Sequence, residues 1–140
     1  MKTLAIDPGK ARTGLAACDE LELTTRLLPV LEKSQEQALV EALLSLIEKE
    51  GFERVIVGNP LHMDGAISLG SQRAQKLAER LKKALLQKKW SGSVLLYDER
   101  LTSFEAETRL REKGISKKKA KGFLDSLAAL VLLEDYLKNQ

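Results

Sequence analysis

Two apolar rhythms divide the chain. Thr3-Leu4-Ala5-Ile6 and Val55-Ile56-Val57-Gly58 are unbroken apolar runs, the pattern of strands buried on both faces. Residues 13–18 and 22–30 predict two further strands joined by the polar turn Asp19-Glu20. Links this short make residues 2–7, 13–18 and 22–30 an antiparallel meander. Val94-Leu95-Leu96-Tyr97 predicts a fifth strand. Elsewhere the apolar spacing is helical. Leu39, Ala42, Leu43, Leu46 and Ile47 form a stripe behind a capping box, with Ser34 as N-cap and Gln37 reaching back, and Gly51 ends it. Ala74, Leu77, Ala78, Leu81 and Leu85 give an inward face over 70–89, closed by Trp90 and Gly92. Thr102 and Glu105 open a third helix that Gly114 stops. Ser116 caps the last helix, whose apolar positions include Leu124, Leu127, Ala128, Val131 and Leu132.

Three strands followed by helix–strand–helix–strand–helix is an α/β order. The two crossovers make strands one, four and five parallel neighbours, with the meander at the edge and helices on both faces of a mixed five-stranded sheet. No repeat or linker interrupts this order, so residues 1–140 are expected to form one domain.

Composition narrows the setting. Hydrophobic residues are 44% and charged residues 31% of 140, as in a soluble globular chain. No apolar run reaches membrane-spanning length and no secretory leader is evident, so the expectation is a cytoplasmic protein without a membrane partner. The single cysteine, Cys18, excludes an intramolecular disulfide and an all-cysteine metal site. The formal charge of +3 and pI near 9.0 permit a nucleic-acid partner without requiring one.

The chemistry collects at one sheet edge. In an open α/β sheet, sites form beyond the carboxyl ends of parallel strands. Asp7 ends strand one, Asn59 and Pro60 follow strand four, and Asp98-Glu99 end strand five. Successive strand residues face opposite ways, so only one of Asp98 and Glu99 joins Asp7. The other caps a helix or pairs with Arg12 or Arg100. Asp125 rides on the last helix, sharing a face with Ala128, Ala129 and Leu132, whose small alanines allow close approach to the sheet. Each acid has an ordinary alternative: Asp7 as a turn cap and Asp125 as a helix-start carboxylate. Together they form a cluster of like charge that needs a counterion. Hard oxygen donors suit Mg²⁺ or Mn²⁺, and two such ions about 4 Å apart serve phosphodiester hydrolysis. The only histidine, His62, reads as a loop residue packed near Met63, which disfavours zinc or a histidine triad.

Positive charge concentrates from Arg109 to Lys121, where Lys117, Lys118 and Lys119 fall at a helix start that the dipole makes unfavourable for cations. A phosphate backbone is the natural compensating anion. The basic face of 70–89 reads as a solubility surface and carries less weight. Aromatic residues are 4%, too few for a base-stacking platform.

Four motifs resemble the YqgF family, also called RuvX. They are Asp7-x-Gly9-x-x-Arg12-x-Gly14, Val57-Gly58-Asn59-Pro60-Leu61-His62-Met63-Asp64-Gly65, Asp98-Glu99-Arg100-Leu101-Thr102-Ser103 and Lys121-Gly122-Phe123-Leu124-Asp125-Ser126-Leu127-Ala128-Ala129. They run in family order over essentially the whole chain. The resemblance implies an RNase H-like fold, with Asp7, Glu99 and Asp125 as the catalytic, metal-binding acids and Asp98 at most accessory. It implies a nuclease maturing the 5′ end of precursor small-subunit (16S) ribosomal RNA, or a Holliday junction resolvase on branched DNA. Arg12, Arg100, Lys117, Lys118 and Lys121 would hold phosphates. Asn59 and His62 depart from the usual family residues and bear on substrate preference. Ribosomal precursor particles are an expected partner, with the protein a monomer or a homodimer. Two rival classes are a non-catalytic assembly factor with a relict acidic site and an ATP-binding protein of the actin type. The second needs two such domains, and the chain has length for one.

Overall fold

The computed structural model describes residues 1–32, 35–60, 67–98 and 124–139, with only the backbone at 124 and 125. The predicted helix from Thr102 to Gly114 lies outside the described residues. So do the Ser116 cap and the Leu61–Gly65 part of the second motif. The described elements are β1 (Thr3–Asp7), β2 (Thr13–Cys18), β3 (Thr25–Leu31), α1 (Glu36–Glu50), β4 (Arg54–Asn59), α2 (Leu69–Gln87), β5 (Ser93–Asp98) and α3 (Leu124–Lys138).

The strands form one sheet in the order β3-β2-β1-β4-β5. β1 pairs antiparallel with β2 and parallel with β4, and β4 pairs parallel with β5. This is the expected meander followed by two crossovers. Alternation sorts the side chains into two cores. Leu4, Ile6, Leu15, Val55, Val57 and Val94 meet α1 and α2 through Leu43, Ile47, Leu77, Leu81 and Leu85. Ala5, Ala16, Cys18 and Ile56 meet α3 through Ala129, Leu132 and Leu133. The small residues Ala5 and Ala16 let α3 lie close to the sheet centre. Leu132 and Leu133 are fully buried there, each contributing about 1.5–3 kcal/mol of transfer free energy. No described helix is long and apolar enough to cross a membrane.

Two polar ties hold α3 at its ends. Near its start, the buried Ser126 hydroxyl donates to the Leu28 carbonyl of β3 at 3.1 Å. Near its end, the Tyr97 hydroxyl of β5 donates to Asp135 Oδ2 at 2.6 Å, and Tyr97 meets the Tyr136 ring edge-on at 5.7 Å. The helix therefore spans the sheet from one edge strand to the other.

Two boundaries differ from the pattern. α1 begins at Glu36 with Gln35 at the N-cap and no side-chain cap bond; Ser34, the expected cap, lies outside the described residues. Gln37 donates forward to Glu41 at 3.2 Å rather than back to a cap. Tertiary charge explains the start: Glu36 pairs with Arg80 at 3.0 Å and Lys76 at 3.8 Å of α2. β3 begins at Thr25, not at residue 22, because Asp19 captures the intervening chain. Its Oδ1 accepts from the Leu23 N–H at 2.9 Å, and its Oδ2 accepts from the Thr24 hydroxyl at 2.9 Å. These bonds hold the Asp19 carboxyl below its usual range, with the Thr24 hydroxyl the main cause.

Candidate active site

Asp7 closes β1, half-buried at the carboxyl edge of the sheet. Its face follows from its neighbours. Ile6 joins the α1–α2 core and Ala5 the α3 core, so alternation turns Asp7 to the face that α3 covers. Its partner across β2 is Gly14, which has no side chain. The turn from β1 to β2 is tight: a Cβ on Gly9 would collide with the Arg12 carbonyl oxygen, so only glycine fits there. That turn places the half-buried Arg12 within five residues of Asp7 along a closed hairpin.

Asn59 and Asp98 are register partners on β4 and β5 and therefore share a face. Asn59 Oδ1 accepts from the Ser71 hydroxyl of α2 at 2.5 Å, which fixes that face as the α2 side. Tyr97, one residue before Asp98, faces α3 through its bond to Asp135. Burial and that bond raise the Tyr97 pKa above 10.0, burial being the larger cause. Both neighbours thus turn Asp98 away from the face that carries Asp7. Its carboxylate is exposed.

The first turn of α3 lies over the same region. Ser126 bonds Leu28, Leu28 pairs with Leu15, and Leu15 pairs with Ile6, next to Asp7. Backbones two strands apart are about 10 Å apart. Residue 125 precedes Ser126 in that turn. Its side chain, together with Glu99, Arg100, Lys117, Lys118, Lys121 and His62, lies outside the described set.

Sequence reasoning missed the polar clasp at the mouth of β4. Ser68 caps α2 by accepting from the Ser71 N–H at 2.9 Å, and its hydroxyl donates to the Pro60 carbonyl at 2.5 Å. Ser71, fully buried, also accepts from Gln75 Nε2 at 3.1 Å. A serine immediately before an apolar-periodic run was the available signal.

A mixed sheet in this order, covered by α1 and α2 on one face and α3 on the other, with an acid at the end of its central strand, defines an RNase H-like α/β protein. Solved structures share the fold. The Thermus thermophilus RuvC structure superposes with a TM-score of 0.60 at 17% identity, covering 99% of this chain and 96% of that one. The fowlpox virus Holliday junction resolvase gives 0.63 at 12%, covering all of both chains. The family described as "RuvX: Holliday junction resolvase" matches residues 1–139, and the chain belongs to it. A relative from Anaeromyxobacter sp. (strain K), named "Putative pre-16S rRNA nuclease", is 38% identical over 137 residues, 98% of this chain and 96% of the relative.

A divalent cation is what this family resemblance implies. The donor chemistry fits in kind: Asp7 offers hard carboxylate oxygens, half-buried, across from Gly14, which adds no side chain. Among the described residues no three His, Cys, Asp or Glu side chains gather.

Proposed function

We propose that the protein, acting as one domain over residues 1–140, cleaves phosphodiester bonds in structured RNA with Asp7, Glu99 and Asp125 as its catalytic acids. That the protein is a nuclease follows from its family and its near-full-length relatives. The further reading is 5′-end maturation of precursor 16S ribosomal RNA in the cytoplasm, on ribosomal precursor particles. The observation that carries it is Asp7: a carboxylate ending the central strand, on the α3 face, with Gly14 as its side-chain-free neighbour.

Support for Glu99 over Asp98 comes from the pleat, since Asp98 shares the α2 face with Asn59. Support for Asp125 comes from the Ser126–Leu28 bond, which holds the first turn of α3 against the meander. The three acids would hold Mg²⁺ or Mn²⁺, as one ion or a pair. When bound, such an ion would supply Lewis-acid activation of a water and charge at the leaving oxygen. Asp7, Glu99 and Asp125 would hold that ion and orient the scissile phosphate. Arg12, Arg100, Lys117, Lys118 and Lys121 would neutralise the flanking phosphates, and Asn59 and His62, which depart from the usual family residues, would tune substrate preference.

Branched DNA is the second reading, favoured by the family description itself. The Thermus RuvC of the same fold has also been solved with a Holliday junction substrate. A two-fold junction calls for a homodimer, whereas trimming an RNA end needs one copy. Cleavage of precursor 16S RNA, a four-way DNA junction and plain duplex, side by side with Mn²⁺, separates these readings. Preference for the precursor supports the first and preference for the junction the second. Equal cleavage by wild type and Asp7→Asn overturns the assignment of Asp7. Cellular complementation by Asp7→Asn would make the protein a non-catalytic assembly factor.

A further inference from the structure

The outer face of α2 carries four cations in one line. Arg73, Lys76, Arg80 and Lys83 recur at three-, four- and three-residue intervals, opposite the buried Ala74, Leu77, Ala78, Leu81 and Leu85. The ridge is about 15 Å long. From Leu69 to Lys89 the segment holds seven lysines and arginines against one acid, Glu79, a net of +6 in a chain whose formal total is +3. The rest of the chain is therefore net negative. Charge is segregated onto this helix rather than spread over the surface, which a simple solubility role does not require.

Neutralisation of the ridge is incomplete. Glu36 alone serves both Lys76, at 3.8 Å, and Arg80, at 3.0 Å. One carboxylate thus faces two cations, so the pair of them keeps a net positive charge. Among the described residues Arg73 and Lys83 have no ion-pair partner. Position matters as much as charge. α2 follows β4, whose carboxyl end Asn59 lies at the active-site edge, and the Ser68–Pro60 and Ser71–Asn59 bonds clamp the head of the helix to that edge. Arg73 stands one turn in from the clamp and Lys83 nearly three turns further. At about 3 Å of axial rise per phosphate along one strand of an A-form duplex, the ridge spans about five phosphates.

We propose that this ridge is a second nucleic-acid contact, seating the phosphate backbone of a double-helical arm of the RNA as it leaves the active site. The proposal rests on the nuclease reading above and adds where the uncut arm lies. Lys76 and Arg80 stay oriented by Glu36, and Arg73 and Lys83 mark the ends of the track.

The test is equilibrium binding of an RNA hairpin to the full chain, without divalent cation, between about 50 and about 200 mM salt. Arg73→Gln/Lys83→Gln leaves the Glu36 pairs intact. It should lower the slope of log affinity against log salt by between about 1 and 2 and weaken binding on the order of tenfold or more. Lys49→Gln/Lys138→Gln removes the same charge from exposed sites on α1 and α3 and should leave the slope unchanged. Equal slopes for wild type and the ridge variant overturn the proposal, as does an equal fall in both double variants. A fall with a four-way DNA junction but not with the hairpin overturns the assignment to RNA. Asp7→Asn cleavage is read separately: its loss alongside an unaffected ridge variant sinks the ridge and leaves the nuclease reading standing.

Discussion

Asp7 and Gly14 are paired across β1 and β2, so the carboxylate at the end of the central strand faces a residue with no side chain. Replacing Asp7 by Asn keeps the shape and removes the charge. Cleavage should fall at least about 100-fold, the scale of losing a group that holds or orients a catalytic ion. Nucleic-acid affinity measured without metal should hold or rise, because a negative charge is gone from the phosphate path. Parallel turnover and binding titrations check both.

The turn behind this pair is as constrained as the acid. Gly9→Ala places a methyl group against the Arg12 carbonyl. Relief requires the turn to open, at about 1–3 kcal/mol. A lower denaturant midpoint with an unchanged slope is the expected outcome.

Ser68→Ala removes two bonds at once, the cap on α2 and the link to the Pro60 carbonyl. A loss of about 1–2 kcal/mol is expected. Ser68→Asp should keep the cap but lose the donor to Pro60. Comparing the thermal midpoints of the two variants separates the two contributions.

The Tyr97–Asp135 bond predicts a pH dependence. The folded Tyr97 pKa is raised, so the neutral phenol is the form that folding favours. Its contribution is complete below the unfolded value near 10 and is lost as pH rises through the folded value. Wild type should exceed Tyr97→Phe in stability at pH 7 to 9, and the gap should close above pH 10. Denaturation of both proteins across that range measures it.

Much of this was legible in the apolar pattern. Unbroken runs marked β1 and β4 as central, and the short links forced β2 and β3 into a meander, so the strand order β3-β2-β1-β4-β5 followed. What the pattern could not supply came from contacts distant in sequence. That Asp98 faces away from Asp7 depends on the face Tyr97 takes, and that is set by Asp135 and Tyr136, almost forty residues away. The start of α1 was displaced for a similar reason, since Glu36 answers to Arg80 and Lys76 on another helix. The β2–β3 turn was misjudged locally: Asp19 bonds four and five residues ahead, and the exposed Leu23 falls in the turn although the pattern assigns it to the strand. Asp7 was visible as an acid at a strand end, but its pairing with Gly14 needed the register.

The Ser68–Pro60 bond ties together the two ends of the intervening segment. Together with the neighbouring Ser71–Asn59 bond, it fastens the carboxyl end of β4 to the head of α2 by contacts that do not pass through the residues between them. The mouth of the strand next to the acid on β1 is therefore held by side chains as well as by the chain itself.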